Sequence, residues 1–325
     1  MSKLNYYPIE LHTHTNNSDG RFTEADLINA AKDFGYAGIF STDHNNIAAY
    51  ETIKKEKLDE SLDFKVLPGI EWTTFYGHML ILGGVDPLPF TLARKDNINE
   101  LVKRIKERED VVVGIAHPYV YGTPACKGCF WEFEVKDYND FDYIEIANNV
   151  NPHIGYWNED AYELWVDQIN KGVKIAMACG RDWHGPTEGQ FITYVTMLGL
   201  ESDINTSDVV NAIRNGKTYI TMEPILDLSI NDDSINLGDE IENQELSIKL
   251  TLNKGEFKDN KASDFILDEL RIINNDDTIE NIKPSYGETY QFNIEPNSGS
   301  IRFEVYGYLE ETKIRLLVTS AIFVK

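Results

Sequence analysis

Two rhythms of apolar and polar positions divide the chain. Up to about residue 220, short apolar runs alternate with stretches of helical spacing. YPIEL, before His12, reads as a short buried strand. Leu27, Ala30, Ala31 and Phe34 then recur at helical spacing, with Thr23 as a cap, Asp26 in the first turn and Gly35 as a stop. AGIFST predicts a second strand that ends in Asp43 and His44, and a polar helix over 47–60 follows. FKVLPGIEW, GHMLILGG, VVVGIAH, FDYIEIAN, VKIAMACG and FITYVTM predict further strands. Residues 97–109, 158–170 and 206–215 predict further helices. Repeated strand–helix units predict an α/β fold around a parallel sheet, closed or open.

The rhythm changes near Tyr219–Pro224. ILDLSIND, ELSIKLTLN, ELRIINND, TYQFNIEPNSG, SIRFEVYGY and RLLVTSAIFV are short alternating runs, and NDD, NKG, NNDD and PNSG punctuate them. That pattern predicts a small antiparallel β-sandwich domain. The expected division is 1–222 and 223–325.

The totals narrow the function classes. With 325 residues there is room for one large domain and one small one. The formal net charge of −24 opposes docking on polyphosphate backbones, which need Lys and Arg to displace counterions. General nucleic-acid binding and anionic membranes are therefore set aside. No long apolar uncharged run spans a membrane, and MSKLNYYPIELHTHT lacks the apolar core of a signal peptide, so a cytoplasmic location is expected. Three cysteines cannot all pair, and no disulfide framework is expected. Cys126 and Cys129 form C-x-x-C, but a zinc site there needs two more soft ligands and only Cys179 remains. The thioredoxin-like context of a redox pair is absent.

Candidate chemistry gathers at the predicted strand ends. His12 and His14 form H-x-H, and in an extended segment residues i and i+2 point the same way, so both imidazoles can reach one cation. Asp19 lies in the polar loop NNSDG. His44 closes the second strand, Glu71 the third, and His78 begins the next. His117 closes VVVGIA, and Asp182 and His184 form D-x-H after IAMACG. Imidazoles and carboxylates without thiolates suit zinc, manganese or iron. If the strands form an α/β barrel, their C-terminal ends share one face, where active sites lie.

ELHTHTNNSDGRFT, STDH, GIEWTTFYGHMLILG, GIAHPY and GRDWHG closely resemble the PHP (polymerase and histidinol phosphatase) domain superfamily, over roughly residues 7–222. Within it the chain is most similar to the CehA/McbA-type metallohydrolases, which pair a Glu strand with a G-H strand and carry a small C-terminal β domain. The resemblance implies a distorted (β/α)7 barrel holding two or three divalent metals. One metal would take His12, His14, Glu71 and Asp182; a second Glu71, His78 and His117; a third Asp19, His44 and His184. Many relatives carry histidine where Asp19 stands.

The expected activity is hydrolysis of a small phosphoester by metal-activated water. Carboxylic ester or carbamate hydrolysis on the same metals is the alternative, and a non-catalytic binding protein with a degenerate barrel is the reading of another class. Arg181, beside Asp182, is expected either to clamp phosphate or to lie at the surface or behind the ligands. Asp43 would orient His44 or cap the following helix. His153 matches no family position and is either a loop residue or an acid near neutral pH. Tyr119, Tyr121 and Trp183 flank candidate ligands. The C-terminal strands would cover the pocket, form a homo-oligomer or bind a partner, with cover ranked first.

Overall fold

The computed structural model describes residues 3–84, 88–108, 110–123, 126–187, 191–258, 260 and 264–325. Strand β1 (Asn5–Glu10) leads into helix α1 (Glu24–Phe34), then β2 (Gly38–Ser41), α2 (Ala48–Glu56), α3 (Leu58–Ser61), β3 (Lys65–Thr73) and β4 (His78–Gly83). Then come α4 (Ile98–Ile105), β5 (Val111–Ile115), β6 (Tyr143–Asn148), α5 (Tyr156–Asn170), β7 (Ala176–Gly180), β8 (Val195–Leu200), α6 (Thr206–Arg214) and β9 (Thr218–Thr221). Helix α1 follows its sequence signals: the Thr23 side chain accepts from the Asp26 N–H, and Gly35 closes the helix at φ 114°. The helix expected over 47–60 is two helices, because Lys57 adopts a left-handed φ of 55° between them. The strand expected from Phe191 begins only at Val195.

The sheet is mixed rather than parallel. β1, β2 and β3 pair in parallel, as do β5, β6 and β7, but β4 runs antiparallel to both β3 and β5. Only four residues join β3 to β4, whereas a parallel crossover needs about a dozen. The hairpin has a functional consequence: it brings His78, at the start of β4, opposite Thr73 at the end of β3. Among the described residues no continuous ladder closes the barrel implied by the resemblance: strand ladders run β8–β1–β2–β3–β4–β5–β6–β7 and end there, and one backbone bridge, Thr13 with Trp183, joins the extensions of β1 and β7. The outer edge of β7 meets β8 and β9 through hydroxyls instead: Thr196 Oγ1 accepts from Cys179 N and donates to Cys179 O, and Thr218 Oγ1 donates to Met177 O.

After residue 222 the chain is almost all strand: β10 (Pro224–Ile230), β11 (Glu240–Ile241), β12 (Leu246–Lys254), β13 (Phe265–Asn274), β14 (Asp277–Ile282), β15 (Thr289–Ile294), β16 (Gly299–Leu309), β17 (Thr312–Thr319) and β18 (Ile322–Val324). β10, β12 and β15 form a separate antiparallel sheet whose alternation buries Leu246, Ile248, Leu250 and Leu252. The others extend the large sheet, because β17 pairs with β9. One apolar core therefore runs from Leu27, Ile28 and Phe34 of α1 to Trp165 of α5 and Phe303 of β16. Among the described residues no helix is long and apolar enough to cross a membrane.

Candidate metal centre

The tails of four strands knit together on one side of the sheet. Trp183 N donates to His12 O and His14 N to Trp183 O, each at 3.1 Å. Thr42 N donates to Thr13 O at 3.2 Å, and Glu71 N to Thr42 O at 3.2 Å. Between the two histidines the Thr13 side chain turns away and donates to Phe40 O at 2.6 Å. This extended, anchored backbone is what the H-x-H spacing requires.

The side chains then converge. One ligand atom from each of His12, His14, Glu71 and Asp182 lies within 4.8 Å of all the others. The same holds for Glu71, His78 and His117, and for His14, Asp19, His44 and His184. His14 thus also belongs with the third group. Glu71 sits between the first two: Oε1 is 2.8 Å from His78 Nδ1 and 3.1 Å from His117 Nε2, while Oε2 is 3.2 Å from His12 Nε2 and 3.3 Å from His14 Nε2. Asp182 Oδ1 lies 3.0 Å from His14 Nε2 and 3.3 Å from His12 Nε2. Despite these distances, His12 Nε2, both nitrogens of His14, His78 Nε2 and Glu71 Oε2 are buried without a hydrogen-bond partner. Such atoms normally find partners. Grouped within 4.8 Å of one another, donors left without hydrogen-bond partners form an arrangement that a cation would satisfy.

Without a cation the charges lean on each other. Burial would lower the His12 pKa, but Glu145, Glu71 and Asp182 raise it well above its ordinary value. Burial would raise Glu71, but His12, His78 and His117 hold it well below the carboxylate range. His44 is raised to about 10 by Asp19 and Glu71 against its own burial. Asp19, more than half exposed at the mouth, is held low by its bonds to His184 and His44. Asp182 and His117 have left-handed φ values of 49° and 27°. Such conformations cost about 1–3 kcal/mol each and cluster at functional sites.

Two carboxylates that sequence reasoning missed hold the cluster from behind. Glu145 on β6 is fully buried; Oε1 lies 2.9 Å from His12 Nδ1, and Oε2 accepts from His117 N at 3.0 Å. Glu10 accepts from the backbone N–H of His12 and of Arg181, and from the Tyr36 hydroxyl. Each was visible as a single acid in an apolar run, YIEIAN and YPIEL. Gly180 makes room for this bracing: a Cβ there would lie 2.1 Å from Glu145 Oε1 and 2.6 Å from His12 Cβ.

Two expectations, for Asp43 and Arg181, need correction. Asp43 neither orients His44 nor caps a helix; it accepts from Thr15 N, Thr15 Oγ1 and Ser18 Oγ, and so fixes the loop that leads to Asp19. Arg181 is no surface clamp. Its side chain is 2% exposed, its guanidinium stacks 3.7 Å from the Trp183 ring centroid, and its nitrogens have no hydrogen-bond partner. His153 lies apart from the cluster, in a cavity of about 280 Å³ lined also by Tyr156, Tyr194, Tyr306 and Arg315. Tyr119 stacks edge-on to Phe130, Tyr121 to the tilted ring of Tyr156, and Trp183 packs against Phe22. The mouth holds a different cation. Arg21 lines a cavity of about 510 Å³ with Asp182, His184 and Gly185, and has no ion-pair partner among the described residues.

No family model matches the chain. The 5'-3' exoribonuclease Rnm of Escherichia coli (strain K12) is 30% identical over 117 residues, 33% of this chain and 40% of that protein. The 5'-3' exoribonuclease Rnm of Salmonella typhimurium (strain LT2) is 32% identical over 77 residues, 23% of this chain and 26% of that one. The matched part thus spans less than half of these curated relatives. A two-domain protein from Bacteroides vulgatus, described as containing a predicted PHP-like metal-dependent phosphoesterase, shares the fold at a TM-score of 0.54 and 15% identity, over 98% of this chain and 97% of its own. Similarity to a protein named for RNA cleavage removes the ground for setting nucleic acid aside on net charge alone.

Proposed function

We propose that the chain is a metal-dependent hydrolase of phosphoesters. The observation that carries this is the convergence of buried, unpartnered imidazole nitrogens and carboxylate oxygens on shared points. His12, His14, Glu71 and Asp182 would hold one divalent cation, Glu71, His78 and His117 a second, and Asp19, His44 and His184 a third. Bound there, such cations supply Lewis acidity and a water acidic enough to act near neutral pH. The donor set, nitrogen and oxygen without sulfur, admits zinc, manganese or iron. The chain's own residues do the positioning. Glu145 accepts a hydrogen bond from His12 Nδ1–H and so leaves the Nε2 lone pair facing the cluster. Asp43 fixes the loop that carries Asp19. Arg21, at the mouth, takes the anion-binding role expected of Arg181.

A second observation favours a substrate with aromatic bases. Exposed Phe75, Tyr121, Phe130 and Tyr156 sit on the segments that leave β3, β5 and β6. Aromatic side chains stack on bases at roughly 1–3 kcal/mol each. With the Rnm similarity, this supports nucleotides or the end of a single-stranded oligonucleotide as substrate. The division at residue 222, with the C-terminal strands as structural cover, belongs to the same proposal.

The test is metal content of the purified chain alongside a panel of nitrophenyl phosphate, bis-nitrophenyl phosphate, nitrophenyl acetate, nucleoside monophosphates and a short oligoribonucleotide. Two or three metals and phosphoesterase activity, both lost in His12→Ala and Asp182→Ala, are expected. Activity on the acetate alone would move the assignment to carboxylic esters. No metal and no activity after manganese or zinc is added would end it.

A further inference from the structure

Beside the nitrogen–oxygen cluster lies a second set of donors with a different character. Cys126 and Cys129 face each other as a disulfide pair, with their Cα atoms 5.7 Å apart. One ring nitrogen of His78 and both Sγ atoms lie within 4.8 Å of one another. His78 Nδ1 is engaged by Glu71 Oε1 at 2.8 Å, which leaves Nε2, buried and without a hydrogen-bond partner, as its free lone pair. Cys179, the third soft ligand considered from the sequence, is buried elsewhere and plays no part in this group.

The loop is held against the hairpin that carries His78. Gly128, between the cysteines, has φ 91°, and a Cβ there would lie 2.0 Å from Thr74 O. Trp131 N donates to Pro118 O at 2.9 Å, and His117 Nδ1 lies 3.3 Å from Cys129 O. Loop and hairpin thus meet along one seam, with the sulfurs beside His78.

We propose that reduction of Cys126–Cys129 creates a separate site for a thiophilic divalent cation such as zinc, made by two thiolates and His78. A dithiol reductant supplies two electrons and two protons; the S–S bond breaks and the reductant becomes a disulfide. Cation binding then displaces both thiol protons, since thiolate is the ligand form. Two cysteine sulfurs and one imidazole suit zinc's preferred donors and leave a fourth position for water. While the sulfurs are bonded to each other this site does not exist, and His78 serves only Glu71 and His117. The proposal stands independently of whether the neighbouring cluster hydrolyses phosphoesters.

The test uses cobalt(II) as the probe on the full chain. One sample is oxidised and one reduced with dithiothreitol, which is then removed without air. The expected result is one more cobalt per chain in the reduced sample, with a near-ultraviolet sulfur-to-cobalt charge-transfer band. The double variant Cys126→Ser, Cys129→Ser should show neither, and His78→Ala should bind the extra cobalt more weakly. Equal cobalt content in both redox states with no sulfur band overturns the proposal, and the unsubstituted chain alone decides that point. A band that persists in His78→Ala at unchanged affinity also overturns it. A sulfur band without phosphoesterase activity supports this site while counting against the hydrolase reading.

Discussion

Replacing Glu145 with glutamine tests whether the buried carboxylate behind His12 sets the metal site. In the native chain both oxygens accept: Oε1 faces His12 Nδ1 at 2.9 Å and Oε2 receives His117 N–H at 3.0 Å. Glutamine keeps the shape but has one acceptor. If its oxygen stays on His12, its amide confronts the His117 N–H and leaves a buried donor unpaired, at about 1–3 kcal/mol. If it flips, the amide donates to His12 Nδ1 and drives the ring proton to Nε2, the atom that faces Glu71 and Asp182. Loss of such a partner weakens metal binding by roughly 10–100-fold, or about 1.4–2.7 kcal/mol. The assay is competition for zinc against a chromogenic chelator, with circular dichroism to confirm folding. A folded Glu145→Gln chain with unchanged zinc affinity would refute the reasoning, because it would show that His12 is oriented without this carboxylate.

Gly180→Ala should lower Tm and metal content together, because the added methyl group meets Glu145 Oε1 and His12 Cβ; overpacking of this kind costs about 1–3 kcal/mol. An unchanged Tm in a thermal melt would count against the close approach described here. Arg21→Ala should cut kcat/KM on phosphate substrates by about tenfold, the lower range for a charged hydrogen bond given its exposure. Arg181→Met should leave KM unchanged and lower Tm, since methionine loses the stacking on Trp183 and the attraction to the buried Glu10 carboxylate; a raised KM at constant Tm would restore Arg181 as the clamp. Zinc affinity should climb with pH. In the metal-free chain His44 keeps its proton up to about pH 10, so a cation must displace it. The matching stability contribution of the protonated ring is full below the usual imidazole value of 6.5 and is lost as pH rises through about 10. Calorimetry in buffers of different ionisation enthalpy should register proton release on binding; its absence would mean the rings are already neutral.

The positions of the nine candidate ligands were legible because a strand end is a local event. An apolar run that meets His44, Glu71 or His117 near its C-terminal end marks the place where polar side chains can converge. His78 stands at a strand start because the four-residue hairpin turns β4 around. What lay behind the ligands was not legible. Glu145 and Glu10 sit inside apolar strands, and only the neighbouring strands reveal what their oxygens meet. Adjacency misled at Arg181: its neighbour Asp182 faces the cluster, while its own side chain turns to the other side and stacks on Trp183. Likewise Asp43 precedes His44 yet serves the loop after His14. The sheet's topology depended on loop length and edge contacts, which apolar patterning does not report.

The knitted strand tails also say when the centre can come into being. The bond from Arg181 N to Glu10 Oε1 joins residues 171 positions apart, and Trp183 closes onto His12 and His14 across the same span. Contacts so distant in sequence must overcome the entropy of closing a long loop before they return any stability, which slows folding. The first and last ligands therefore meet only once β7 has docked beside β1. A nascent chain that has just emerged through His117 carries five histidines and no finished cage. Cations would then stabilise the completed fold rather than template its early stages, and their removal would speed unfolding more than it slows refolding.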